Sequence, residues 1–185
     1  MKRLICTLLA LTLCAAGLAG CRNNQPVETT APPSTAPTSV LADKMLDDIV
    51  DMIYEKHPME LSLVTVEVAL DDSYAVQSYL GLDSSEGIAK AVASESGFGS
   101  QAYSLVLCRV KDPNNAQSIA RQMFEGIDQR KWICVEADDL MVSAFGDLVL
   151  LVMIDSDYAN MATAQQLTDA FSAVSNMKAD LTLKD

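Results

Sequence analysis

Histidine is nearly absent from this chain of 185 residues, in which His57 stands alone, directly before Pro58. A zinc site would need carboxylates to complete its ligand set, and a Ser or Cys nucleophile would have only this one histidine as its base. The sequence also contains no nucleophile elbow, no Gly-rich phosphate loop and no His-Glu-x-x-His motif. We therefore predict no catalytic residues, no bound metal and no cofactor.

Basic residues are scarce as well, with 13 Lys and Arg against 25 Asp and Glu. The first 20 positions hold two of the basic residues and none of the acidic ones, so the rest carries 11 basic and 25 acidic residues, a net charge of −14. A chain this acidic is repelled by nucleic-acid phosphates and by anionic lipid headgroups. We expect no nucleic-acid partner.

Only one long hydrophobic run is present, over residues 4–16, and it follows the basic pair Lys2-Arg3. Such a run makes roughly 20 Å of helix, which is too short to span a bilayer core. The Leu-Ala-Gly-Cys sequence that ends at Cys21 resembles the lipobox of bacterial lipoproteins. We predict that residues 1–20 are a signal peptide and that Cys21 carries a diacylglyceryl anchor at the extracytoplasmic face of the cell membrane. The alternative is an ordinary signal peptide followed by a Cys by chance.

Residues 22–40 are rich in Pro, Thr and Ser and show no apolar periodicity. A segment of this composition cannot bury enough apolar surface to fold, and its prolines favour extended geometry. We predict that residues 21–40, the lipidated Cys and the linker after it, form a disordered stalk. Residues 41–185 have the length of a single domain.

Helical and extended patterns alternate within this domain. Apolar periodicity and cap residues predict helices over residues 43–55, 83–96 and 113–127 and from residue 157 onward. Alternating or continuous apolar runs predict strands over residues 63–70, 103–110, 140–145 and 148–154, with Gly146-Asp147 as a hairpin turn between the last two. We expect an α+β domain of two layers, in which helices cover one face of a largely antiparallel sheet.

Two cysteines remain in the domain, Cys108 and Cys134. An oxidising compartment would permit a disulfide between them, which would stabilise the fold by roughly 3 kcal/mol. The alternative is a pair of buried free thiols that pack as small apolar groups.

Charged residues cluster in two places. An acidic ridge runs along the first helix at a spacing of four residues and comprises Asp43, Asp47, Asp51 and Glu55. Like charges at this spacing are typical of a solvated helix face, and a basic partner or calcium is the alternative reading. Five basic residues fall within 23 positions, and if they converge in space they would form a patch for an anionic ligand or a partner: Arg109, Lys111, Arg121, Arg130 and Lys131.

Several short segments resemble a group of uncharacterised lipoproteins of anaerobic Gram-positive bacteria, and more distantly the domain of unknown function 4358 family. The segments are residues 79–82, 94–96, 102–106, 130–136 and 146–149. Ser94-Glu95-Ser96 departs from the Ser-Glu-Pro of that pattern, and Gly97-Phe98-Gly99 replaces a Met-rich turn. The resemblance implies envelope localisation and the fold class, and it implies no catalytic residues.

The leading functional hypothesis is a non-enzymatic, membrane-anchored module that binds another component of the cell envelope, possible partners including an envelope protein, or contributes to its assembly. A domain that binds a small ligand, either a metal ion or an anion, is the second hypothesis. A small envelope hydrolase that uses Cys108 or a pair of carboxylates is the third.

Overall fold

The structure, a computed structural model, describes residues 41 and 43–185. The predicted signal peptide, Cys21 and the linker of residues 22–40 lie outside the described residues. The described part contains one six-stranded sheet in the order β1-β2-β3-β5-β4-β6, and every neighbouring pair is antiparallel. The strands are β1 (Leu63–Glu67), β2 (Ile88–Ser96), β3 (Tyr103–Val110), β4 (Asp139–Phe145), β5 (Leu148–Ile154) and β6 (Leu181–Lys184).

The helices cover both faces of this sheet. Their bounds are α1 (Leu46–Lys56), α2 (Ser73–Ala75, continued by a π-helical turn over Val76–Leu80), α3 (Ala116–Gly126, preceded by a 3₁₀ turn over Pro113–Asn115) and α4 (Ala164–Ser175). Another 3₁₀ turn, over Ser156–Tyr158, precedes α4. Helices α1 and α4 pack on one face, called here the α1/α4 face, and α3 and the π-helical turn pack on the other, the α3 face.

The α+β class and the antiparallel sheet are confirmed, but the helices do not cover one face only. Strand β5 is buried at all seven positions, so its alternate side chains enter two separate cores. Leu150 packs with Ile49 and Phe171 on the α1/α4 face. Its neighbour Leu151 packs with Met123 on the α3 face. The domain therefore has three layers. A strand covered by helices on both faces needs apolar side chains at successive positions, which explains the unbroken apolar run of β5.

The prediction of a helix over residues 83–96 is wrong, because residues 88–96 form strand β2 in the interior of the sheet. This segment contains three alanines and a lysine, which favour helix locally. Pairing with β1 on one side and β3 on the other outweighs that preference. The helix lies earlier instead, where the Asp72 side chain caps it by accepting a hydrogen bond from the Tyr74 N–H at 2.9 Å.

Local signals elsewhere predicted the elements correctly. The Asp112 side chain accepts from the Asn114 N–H at 3.0 Å, and this cap begins the turn that leads into α3. Gly146 adopts a φ of +62° in the hairpin between β4 and β5, a value that glycine tolerates best. Strand β6, which the sequence analysis did not predict, pairs with β4 at one edge of the sheet.

Candidate interaction surface

His57 and Cys108 lie on opposite faces of the sheet. The His57 Nε2 atom is 3.1 Å from the carbonyl oxygen of Met161 on the α1/α4 face. Cys108 is fully buried in the core of the α3 face, with its Sγ 3.9 Å from Sδ of Met123. Because the sheet separates the two side chains, they cannot act together as base and nucleophile.

Burial raises the pKa of the Cys108 thiol to about 12, and a hydrogen bond involving the backbone of Val149 offsets this only in part. The thiolate is the nucleophilic form of cysteine, so this environment favours packing rather than catalysis. Cys134 is exposed, at a φ of +62°, and both cysteines are free. The disulfide between Cys108 and Cys134 is therefore not formed, and the alternative of two buried thiols holds for Cys108 alone.

The five basic residues of the predicted patch do not converge. Arg109 ion-pairs with Asp147 at 3.2 Å on the face opposite that of Lys131. Lys111 donates to the carbonyl oxygen of Glu86 at 2.7 Å. Arg121 lies exposed on α3. Arg130 and Lys131 line one shallow pocket together, but Arg130 pairs with Glu136 and Lys131 with Glu95, so opposite charges already hold both. The patch fails because Arg109 projects on the α1/α4 face, whereas Arg121 and Lys131 belong to segments that pack on the α3 face.

Lys131 is instead the centre of a half-buried polar network. Its Nζ contacts Glu95 Oε1 at 2.5 Å and donates to the carbonyl oxygen of Ser78 at 3.0 Å. The same Glu95 oxygen accepts from the Ser104 hydroxyl at 2.7 Å. The ammonium also lies 5.0 Å from the ring centroid of Tyr79 and 5.3 Å from that of Trp132.

Burial lowers the pKa of Lys131, although the neighbouring Glu95 carboxylate acts in the opposite direction. This combination shows that the charge is held away from water and compensated locally. The network joins the loop after α3 to β2, β3 and the π-helical turn. We interpret it as structural.

Arg109 fixes the beginning of the described domain. Its guanidinium donates to the carbonyl oxygen of Leu41 at 2.8 Å and to that of Lys44 at 3.3 Å, while Nε faces the Asp147 carboxylate. Leu41 is buried in the α1/α4 core. These contacts hold Leu41, the first residue that the structure describes, beside the end of β3 that carries Arg109.

Three exposed apolar side chains gather at the opposite end of the strands, and we call them the apical patch: Val64, Phe98 and Ile133. They are 54%, 58% and 75% exposed. The loop over residues 97–99 holds them together, since the Ile133 N–H donates to the carbonyl oxygen of Gly99 at 3.2 Å. A Cβ on Gly97 would lie 3.7 Å from Val64 Cγ2. The two ends of the sheet lie roughly 20 Å apart, which is the rise of six residues along β3.

Acidic residues of α1 border a groove of about 480 Å³ beside the edge strand β1. Asp43, Asp47 and Asp51 of the acidic ridge line it, together with Glu67. Lys44, Lys90 and Arg109 also line it, and Arg109 is engaged by Asp147. The ridge is solvent-exposed, as expected for a solvated helix face.

The apical patch and the exposed edge strand β1 were not predicted from the sequence. Val64, Val66 and Val68 alternate correctly for a strand, but only Val68 is buried, because it alone of the three packs in the core of the α3 face. The dipeptide Phe98-Gly99 before a strand was a signal that could have identified a loop with an exposed aromatic residue.

Neither a metal site nor a membrane-spanning helix is found among the described residues. Between Leu41 and Asp185, no group of three His, Cys, Asp or Glu side chains is arranged to hold a metal ion. No helix in the same part of the chain is long and apolar enough to cross a membrane.

Comparison with known proteins found no relatives: no family model, no curated protein and no solved structure matches the chain. The resemblance to the lipoprotein group and to the domain of unknown function 4358 family therefore stays a prediction.

Proposed function

We propose that this protein is a membrane-anchored, extracytoplasmic lipoprotein whose domain binds another protein of the cell envelope without catalysing a reaction. The observation that carries the proposal is the apical patch. Exposed apolar side chains clustered at one place on a domain are typical of a binding surface. Here Phe98 and Ile133 are presented by loops held in place by backbone hydrogen bonds, as binding residues on a rigid scaffold usually are.

The position of the patch also supports this function. A tether joined at Leu41 attaches at the end of the sheet that carries Arg109, and the patch lies at the other end. A linker of 19 residues with four prolines, residues 22–40, would give the domain considerable reach. The patch would therefore face away from the point of attachment.

Cross-linking in living cells, followed by affinity purification, tests the proposal. The native chain is compared with Cys21→Ala, which cannot be lipidated, and with the double variant Phe98→Ser/Ile133→Ser. We expect one recurrent envelope protein with the native chain and loss of that protein with either variant. An abundant native chain that captures no recurrent protein would refute the function.

A further inference from the structure

The two edges of the sheet differ in how well they are protected. Edge strand β6 has four residues, carries Lys184 ion-paired with Asp139 at 3.5 Å, and is half-buried at alternate positions. Edge strand β1 is exposed at Val64, Thr65, Val66 and Glu67 and has no Pro, Lys or bulge. Proteins normally use those devices to prevent other strands from pairing with an edge. Their absence from β1 marks it as the edge that is open to an added strand.

The register of β1 shows which backbone groups are available. The Gly97 N–H donates to the carbonyl oxygen of Ser62 at 2.8 Å, and the Val68 N–H donates to that of Ala91 at 2.9 Å. Hydrogen-bonded positions alternate in an antiparallel pair, so the even-numbered residues of β1 face β2. The N–H and C=O groups of Leu63, Thr65 and Glu67 therefore point outward along the free edge.

The side chains beside this edge differ between the two faces. Val64 and Val66 project on the α3 face, because their β2 partners are Glu95 and Ala93. Glu67 projects on the α1/α4 face, opposite Val92, and it borders the groove that Asp47 and Asp51 also line. An added strand would meet apolar methyl groups on one side and carboxylates on the other.

We propose that the free edge of β1 binds an extended segment of another polypeptide by strand addition, with apolar residues toward Val64 and Val66 and basic residues toward the groove. The proposal rests on the proposed function and specifies how the partner is bound. Backbone hydrogen bonds to the edge supply affinity, and the alternating side chains supply specificity. Four carboxylates line the groove, together with two lysines and Arg109, which already pairs with Asp147. The excess of negative charge favours a strand that carries basic residues.

Charge also argues against a second copy of this chain on the edge. Beyond residue 20, each copy carries 11 basic and 25 acidic residues. Pairing two β1 strands would bring Glu67 and the α1 carboxylates of both copies to the same interface. Like charges placed together there are unfavourable.

The test uses the full-length chain in detergent micelles and a fluorescent ten-residue peptide of alternating Val and Lys, with binding followed by anisotropy. Two probes isolate the backbone contacts. One is the same peptide with alternate amides N-methylated. The other is the variant Thr65→Pro, which removes an outward N–H without removing a bond to β2, with Thr65→Ala as its matched control.

We expect at least a tenfold loss of affinity on N-methylation or with Thr65→Pro, because several backbone hydrogen bonds are lost together. Thr65→Ala should bind as the native chain does. Glu67→Lys should weaken binding about threefold, and a Val/Glu peptide should not bind. Equal binding of the methylated and unmethylated peptides, or no binding of the Val/Lys peptide, would overturn the proposal. A native dimer that Thr65→Pro abolishes would assign the edge to a second copy and would overturn it too.

The two proposals fail in different ways. If Thr65→Pro captures the envelope protein in cells but Phe98→Ser/Ile133→Ser does not, strand addition is refuted and the interaction function stands. If the native chain captures nothing, the function itself is refuted.

Discussion

The ion pair between Lys131 and Glu95 should stabilise the fold, because little water reaches either charge and each compensates the other. The Lys131 side chain is 10% exposed and that of Glu95 is 22% exposed. Removing one member of a buried pair costs about 3–5 kcal/mol, because the other charge is left uncompensated. Since water still reaches part of Glu95, we expect losses at or somewhat below the lower end of that range.

The two single variants should differ. Glu95→Gln leaves the Lys131 ammonium with the Ser78 carbonyl and two aromatic rings, so we expect a loss of about 3 kcal/mol in the free energy of unfolding. Lys131→Met leaves a carboxylate that still accepts from Ser104, so we expect about 2 kcal/mol. The double variant should cost about 3 kcal/mol rather than the sum, which corresponds to a coupling of about 2 kcal/mol.

Urea unfolding of residues 22–185, followed by circular dichroism, measures these differences. The matched control is Arg130→Met, because the Arg130–Glu136 pair is exposed and should contribute at most about 1 kcal/mol. Losses of Lys131→Met and Glu95→Gln that simply add in the double variant would refute the reasoning. A loss in the free energy of unfolding no larger than that of Arg130→Met would refute it too.

Three other outcomes are expected from the same chain. In residues 22–185, where Cys108 and Cys134 are the only cysteines, a maleimide should label Cys134 in the native protein and Cys108 only after unfolding. Because burial raises the folded-state pKa of Cys108 from 9.0 to about 12, the unfolded chain loses this proton first. The contribution of the protonated Cys108 thiol to stability is therefore complete below pH 9. Above pH 9 the free energy of unfolding should decline by up to about 1.4 kcal/mol per pH unit. Urea melts between pH 9 and 10.5 check this, because the free energy of unfolding of Cys108→Val should fall less steeply with pH. Gly126→Ala should destabilise the fold by several kcal/mol, because its Cβ would lie 2.1 Å from the Gly81 carbonyl oxygen. Gly97→Ala is the control, since the nearest neighbour of its Cβ lies at 3.5 Å, and it should cost about 1 kcal/mol or less. Thermal melts of both variants measure the difference.

The elements that sequence reasoning predicted correctly are those whose signals are local. Helix α3 begins after Asp112-Pro113, whose capping chemistry acts within a few residues. The hairpin between β4 and β5 depends on Gly146 at a φ of +62°. Neither signal needs knowledge of the rest of the chain, so both could be found from the sequence.

Strand β2 and the number of layers could not be found in this way. The sequence of β2 favours helix, and it becomes a strand only because β1 and β3 pair with it on both sides. The burial of β5 on both faces was visible as an unbroken apolar run, but it was used only to identify a strand.

The candidate surface shows the same limit more clearly. Proximity in sequence suggested that Arg109 and Lys131 belong to one patch, yet the sheet separates them and each pairs with a carboxylate. Val64 and Val66 belong to a correctly predicted strand, but their exposure depends on how far the helices of the α3 face extend. Sequence patterns identify which residues share a face of an element, whereas neighbouring elements decide whether that face is covered.

An unprotected edge strand with exposed valines is an aggregation hazard unless something keeps copies apart. In this chain the acidic residues beside β1 can do so, because Asp47, Asp51 and Glu67 would face the same residues of a second copy. The same carboxylates would attract a strand that carries Lys or Arg. On this interpretation, the acidic excess that first indicated only the lack of a nucleic-acid partner becomes a selective element of the interface. It follows that Glu67→Lys should weaken binding of the basic peptide and also increase self-association, and light scattering of the variant would show whether both effects come from one residue.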